Sequence, residues 1–150
     1  ECILLAVPRT FSINDNLKEY QLSPEDIQEH TYLTSECVPV PLNYFSETPF
    51  ILLTSGNDTR TRGEKLCREA GFRPRIILEL NQQSTAYMAA ATQMGATFIS
   101  DILVSRLPSF ENLVYYKLGG DTARRQVFFY YKKHKYKTRT MEEFMRMIHD

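Results

Sequence analysis

Between Pro49 and Ser100 the apolar positions fall into blocks whose spacing alternates between strand and helix. Pro49-Phe50-Ile51-Leu52-Leu53 is an unbroken apolar run, Thr54-Ser55-Gly56-Asn57-Asp58 is a polar turn, and the polar stretch that follows carries Leu66, Cys67 and Ala70 on one helical face before it stops at Gly71. The run Arg75-Ile76-Ile77-Leu78-Glu79-Leu80 is a second strand; a small-residue helix from Asn81 to Met94, capped by Asn81 and packed through Ala86, Ala89 and Ala90, leads to Gly95 and a third strand, Ala96 to Ser100. Gly71 and Gly95 are both expected to stop their helices in the left-handed conformation. Strands and helices alternating at this length predict right-handed βαβ units and a parallel sheet. Ligands of such sheets bind at the carboxyl ends of the strands, which directs attention to the turn after Leu53 and the residues after Ile99.

Outside this run, Ile3 to Val7 is continuously apolar and closed by Pro8, the pattern of a strand buried on both faces. The chain is then irregular to Thr48 apart from a helix start at Ser23-Pro24-Glu25-Asp26, where a cap residue, proline and acids stand in order and His30 ends the helix. A short helical turn at Ile102–Arg106 precedes two strands, Leu113–Leu118 and Gln126–Lys132, separated by Gly119-Gly120-Asp121. A final helix is expected to open on Thr140 and Glu143 as a capping box and to present Met141, Phe144, Met145 and Ile148 as a core stripe.

Composition narrows the class. The 150 residues are 43% hydrophobic and 24% charged, with zero formal net charge, an ordinary globular balance. No apolar run approaches the ~18 residues of a membrane span, so no membrane association is expected. Cys2, Cys37 and Cys67 are odd in number and far apart, which favours reduced thiols and a cytoplasmic location. Nine basic residues from Lys117 to Arg146, Arg124 and Arg125 among them, are read as solvated strand ends and a helix rim, since no nucleic-acid module surrounds them. Glu1 opens inside an apparent strand, and the chain is expected to be a fragment.

The sequence holds no recognisable catalytic set. Thr54-Ser55-Gly56 lacks the glycine pattern of a nucleophile elbow. His30, His134 and His149 stand apart from one another, and no histidine and cysteine pair falls at metal-binding spacing. Neither enzyme activity, nor a cofactor, nor a metal is expected. What remains is the turn Thr54–Asp58 before a helix amino-terminus, whose free N–H groups and hydroxyls suit carboxylates, amides or sugars. Its alternative reading is a plain helix cap made by Asn57 or Asp58.

The order of these pieces resembles one family. The run Pro49 to Leu53, a small polar turn, a helix ending Glu69-Ala70-Gly71-Phe72-Arg73-Pro74, a strand ending Glu79-Leu80, a helix closing Met94-Gly95-Ala96 and the strand before Ser100 look like the second half of a LysR-type transcriptional regulator. Cys2 to Pro8, Phe129-Tyr130-Tyr131 and Met141 to Phe144 extend the resemblance over nearly the whole chain. It implies an α/β, periplasmic-binding-protein-like (type II) two-subdomain fold with one subdomain incomplete: residues 10–112 as the second subdomain, 1–9 and 113–150 as a remnant of the first, and the DNA-binding winged helix-turn-helix absent.

By the same resemblance the partners are a small-molecule effector held between the subdomains, a second copy (a tetramer in the full-length protein), and promoter DNA only through the missing domain. The resemblance implies that Ser100, Asp101 and Ala6 to Arg9, of these chiefly Val7 and Arg9, line the effector cleft; with Thr54, Ser55 and Asn57 of the turn and Thr97 of the matching strand, read from the residues themselves, they are the expected effector-binding set. Asp101 would repel an acidic effector unless Arg9 offsets it. The implied dimer surface is the helix from Thr59 to Ala70 with the strand from Arg75 to Leu80, represented by Arg60, Leu66, Ile76 and Leu78; alternatively the segment Phe11–Thr48 covers that edge in a monomer. Two other functions share the architecture, a solute-binding protein of transport and an enzyme such as a dehydratase.

Overall fold

A computed structural model describes residues 1–128, 130 and 136–149, with residues 148 and 149 described by backbone alone. The elements in chain order are β1 (Ile3–Pro8), β2 (Gln21–Leu22), α1 (Pro24–Gln28), β3 (Pro49–Leu53), α2 (Asp58–Glu69), β4 (Arg75–Leu80), α3 (Gln83–Ala91), β5 (Thr97–Ser100), α4 (Asp101–Arg106), β6 (Leu113–Lys117) and α5 (Arg139–His149), with short 3-10 turns between them.

The expected parallel unit is present: β3 and β4 pair in parallel with α2 as their crossover, and Phe50 pairs in parallel with Ala96 at the head of β5. Ile51 N donates to Ala96 O and Ala96 N to Pro49 O, each at 2.8 Å, so β5 lies against β3 on the side away from β4. From β5 outward the sheet is antiparallel, in the order β5-β1-β6-β2. Ile3 pairs with Ser100 and Ala6 with Thr97, while Leu4 faces Lys117 and Pro8 faces Leu113 on the other side.

All six residues of β1 are buried, as its apolar run requires of an inner strand with both faces covered. Ile3, Leu5 and Val7 pack with Phe45, Phe50, Leu66 and Phe98 under α2, whereas Leu4 and Ala6 pack with Ile27, Tyr87, Ala90, Ile99 and Val104 under α1, α3 and α4. Elements on both sides of the division expected at residues 9 and 113 share one sheet. β1 and β6 are inner strands of the same sheet as 10–112, because a strand apolar on both faces must be flanked on both edges and covered above and below. Outside the named strands Cys2 pairs antiparallel with Arg124.

Helix ends show where local chemistry decides. Ser23 and Asp26 make a reciprocal capping box at α1. His30 follows, exposed and left-handed at φ 59°. At α2, Phe72 N donates to Cys67 O and Gly71 N to Arg68 O, both at 3.0 Å, with Gly71 at φ 88°, a Schellman stop. Gly95 departs from expectation. The left-handed residue after α3 is Gln93, at φ 69°, held by its side chain to Thr10 Oγ1 (2.7 Å) and Asn112 O (2.9 Å). Gly95 serves close approach instead, since a Cβ there would lie 2.9 Å from the Pro49 carbonyl oxygen. Nor does Asn81 cap α3, which starts from Gln82 without a side-chain cap.

The carboxyl-terminal part differs most. α5 starts at Arg139 with Thr138 Oγ1 accepting from Met141 N at 3.2 Å, two residues earlier than the Thr140 cap expected. Of its expected core stripe, Met141 and Phe144 are 39% and 53% exposed and Met145 is half-buried, while the Ile148 side chain lies outside the described residues. Of the expected strand Gln126–Lys132, residues 126–128 carry no strand pairing, and Phe129, Tyr131 and Lys132, like His134, lie outside the described residues.

Gly95→Ala separates two effects of opposite sign. Restricting the unfolded chain would stabilise by about 0.4–1 kcal/mol, but a methyl against the Pro49 carbonyl overpacks the β3–β5 junction at a cost of about 1–3 kcal/mol. Net destabilisation in urea melts is expected; a stabilised variant would contradict the close packing.

Candidate functional site

β3 and β5 run in one direction and β1 in the other, so the carboxyl ends of β3, β4 and β5 and the first residues of β1 share one edge of the sheet. Three helices begin there. The turn Thr54–Asn57 is closed by Thr54 N donating to Leu80 O (2.9 Å), and Asn57 Oδ1 caps α2 by accepting from Thr59 N (2.9 Å). Ser100 Oγ caps α4 by accepting from Leu103 N (3.2 Å). Gln83, the first residue of α3, donates to Thr59 Oγ1 (3.3 Å) and draws the α3 start toward α2. The edge therefore gathers positive helix ends and hydroxyl groups. Ser55 and Gly56 are exposed, Thr54 and Asn57 half-buried, and Ser100 buried.

The strongest electrostatic feature of the edge is a pair that the sequence reading did not single out. Arg125 grips Glu1 with both prongs of its guanidinium, Nε to Oε2 at 2.8 Å and Nη2 to Oε1 at 2.6 Å, and its Nη1 reaches Asp58 Oδ2 and Thr59 Oγ1 at 3.3 Å each. Arg125 N also donates to Glu1 O at 2.9 Å. The Glu1 side chain is only 9% exposed. The Arg125 fork holds its carboxyl below the usual carboxylate range against the opposing effect of burial, with the Ser100 hydroxyl adding to the lowering. Arg125 stands in a run of bases, and such a run carries no sign of which member is paired across the fold.

Of the residues singled out from sequence, Thr54, Ser55, Asn57 and Ser100 lie along this edge. Asp101 begins α4 beside them, but its carboxylate turns inward: it is 4% exposed, accepts from Tyr32 Oη at 2.6 Å and from Ile102 N at 2.7 Å, and faces no cleft. Burial, and next the Asp101 carboxylate, push the Tyr32 hydroxyl upward. Val7, Arg9 and Thr97 lie at the opposite end of the sheet. An antiparallel β1 ends where β5 begins, so Ala6 faces Thr97, and Arg9 is spent on the carbonyls of Glu111 (2.6 Å) and Leu113 (3.2 Å). Arg9 cannot offset Asp101 from there.

The expected dimer residues divide likewise. Leu66 is 6% exposed and faces the core, so it offers nothing to a partner. Arg60 ties α2 to β4 through Glu64 and Glu79, both at 2.9 Å, and donates to Leu53 O at 2.9 Å. Ile76 and Leu78 are half-buried on β4, which among the described residues pairs only with β3, and Ile77 beside them is 42% exposed. The segment 11–48 does not cover this edge with a strand; its one strand, β2, pairs with β6 instead.

Among the described residues, no group of three or more His, Cys, Asp or Glu side chains is placed to hold a metal ion. Burial pushes the Cys67 thiol up to about 12, leaving it protonated and unreactive. Among the same residues no helix is long and apolar enough to cross a membrane.

The model of the LysR substrate binding domain matches residues 27–150. An uncharacterized HTH-type transcriptional regulator, YcgK of Bacillus subtilis, is 28% identical over 108 residues, 72% of this chain and 32% of that protein. The fold is similar to the regulatory domain of CcmR from Synechocystis PCC6803 (TM-score 0.58, 14% identity, 98% of this chain and 61% of that one). It is also similar to the C-terminal domain of a probable LysR family regulator from Rhodococcus sp. RHA1 (TM-score 0.56, 15% identity, 99% of this chain and 63% of that one). The chain thus spans about a third of its curated relative and less than two thirds of these structures. With the family model covering most of its length, the chain belongs to the LysR substrate binding domain family, the effector-binding part of LysR-type transcriptional regulators with a type II periplasmic-binding-protein-like fold, rather than to a solute-binding protein of transport.

Proposed function

We propose that the edge formed by Thr54–Asn57 and Ser100 is one wall of an effector site, and that the opposite wall is supplied by a subdomain outside this chain. The observation that carries the reading is the convergence of three helix starts beside the paired segments at Glu1 and Arg125. A ligand held there would favour one relative orientation of the two bodies over another, and by that difference in affinity change how a cytoplasmic regulator holds promoter DNA. The effector is a small polar molecule that accepts hydrogen bonds. The CcmR regulatory domain, similar in fold, was solved in complex with 2-PG, which supports a small-molecule effector here. The role is sensing, with no catalytic step.

An NMR screen of the chain against small carboxylic acids, amides and sugars tests this. Weak binders are expected, since one wall encloses only part of a ligand that is normally largely buried. Their amide shifts should cluster at Thr54–Asn57 and Ser100; shifts clustering at Arg9, Gln93 and Asn112 would overturn the assignment.

We also propose that two copies meet through β4 and the exposed face of α2. The open edge of β4, with Ile77 outward and Ile76 lining an open groove of about 340 Å³ with Glu64, Arg68, Arg73 and Pro74, supports this reading. Light scattering should give a dimer that Ile77→Lys disrupts. A monomer at millimolar concentration, or a dimer indifferent to Ile77→Lys, would contradict it.

A further inference from the structure

The first turn of α2 is tied to the paired segments at Glu1 and Thr122–Arg125 by two arginines that share one carboxylate. Asp58 Oδ2 accepts from Arg62 Nε at 2.9 Å and lies 3.3 Å from Arg125 Nη1. Arg62 Nη1 also donates to the carbonyls of Thr122 (3.2 Å) and Arg124 (3.0 Å), on the outgoing segment. Arg125 holds the incoming segment through Glu1 and the second residue of α2 through Thr59 Oγ1. One guanidinium, carried on the outgoing segment, thus touches the incoming segment and the helix that starts from the Thr54–Asn57 turn.

The contacts are unequal, and the inequality says which side can let go. The grip on Glu1 is bidentate at 2.6 and 2.8 Å, the geometry of the strongest charge-assisted pairs. Because the Glu1 side chain is nearly buried, breaking that pair would strand a charge. The contacts to Asp58 and Thr59, at 3.3 Å each, sit near the outer limit of useful hydrogen bonds, so a shift of α2 by a few tenths of an ångström would lose them. The incoming and outgoing segments are consequently held to each other more tightly than Arg125 is held to α2, whose other tie to the outgoing segment is Arg62.

We propose that Arg125 is a positioning residue that couples the Thr54–Asn57 turn, through the first turn of α2, to the paired segments at Glu1–Cys2 and Arg124–Arg125. Occupation of the turn is then felt at the place where the chain leaves this body. The inference rests on reading that edge as the effector side. Its test uses no ligand, so a failure of the coupling and a failure of the effector reading are separate results.

The test is a double-mutant cycle read by amide hydrogen exchange in the 150-residue chain. Asn57→Ala removes the α2 cap, and the reporter is the Arg125 amide, which donates to Glu1 O. In the native background Asn57→Ala should speed exchange at Arg125 about fivefold, the effect expected of a lost cap transmitted whole. In an Arg125→Met background it should change that amide less than about twofold, a non-additivity that a merely structural Arg125 would not give. Should Arg125→Met fail to fold, Asp58→Asn combined with Thr59→Val, which removes both acceptors of Arg125 on α2 and leaves the Glu1 pair intact, takes its place with the same expectation. The Leu5 amide in β1 gauges global opening. The coupling is overturned if Asn57→Ala has the same effect in both backgrounds, has none in the native one, or speeds Leu5 as much as Arg125.

Discussion

The antiparallel seating of Ile3–Pro8 between β5 and β6 is the constraint on which the rest depends. A six-residue strand buried on both faces has to sit inside a sheet with helices above and below. Once it does, its polarity decides which residues meet. Running against β5, it brings Glu1 and Cys2 to the edge where β3, β4 and β5 end, and takes Arg9 to the far side. Burial of these side chains is non-directional. The direction comes from the ladder, which pairs Ile3 with Ser100 and Ala6 with Thr97.

From that polarity the electrostatics of the edge follow. Incoming and outgoing segments pair at Cys2 and Arg124, so Glu1 and Arg125 are brought together beside the start of α2. A nearly buried carboxylate needs a partner that can satisfy both oxygens, and arginine alone among side chains offers a planar fork of the right shape. Asp101 is compensated differently, by the Tyr32 hydroxyl and its own helix backbone, which removes it from any role facing ligand. The Thr54–Asn57 turn, with the hydroxyls of Thr54 and Ser55 and the exposed Ser55 and Gly56, remains as the open polar part of the edge.

Much of the local structure was legible in the sequence because it rests on local chemistry. β3 and β4 coincide with their apolar blocks, the Ser23 capping box and the Gly71 stop appear as their residues dictate, and the parallel β3–β4 unit follows from strand–helix spacing. Long-range placement was not legible. Nothing in Ile3–Val7 states its direction in the sheet, so Val7, Arg9 and Thr97 were grouped with Ser100 although they lie at the other end. Gly95 looks in sequence like a second helix stop, yet its reason is the Pro49 carbonyl, 46 residues away in the chain. Met141 and Phe144 read as a core stripe by periodicity, which registers an apolar face without saying what covers it. Glu1 and Arg125 could not be paired before the topology was known.

The polarity of β1 is open to direct measurement by cross-strand nuclear Overhauser effects. The account predicts contacts between the backbones of Ile3 and Ser100, of Ala6 and Thr97, and of Cys2 and Arg124, with Phe50 close to Ala96. Contacts joining Ile3 to Thr97 and Ala6 to Ser100 would reverse β1 against β5 and contradict the account, because Arg9 would then share the edge with Ser100 and Glu1 would leave it.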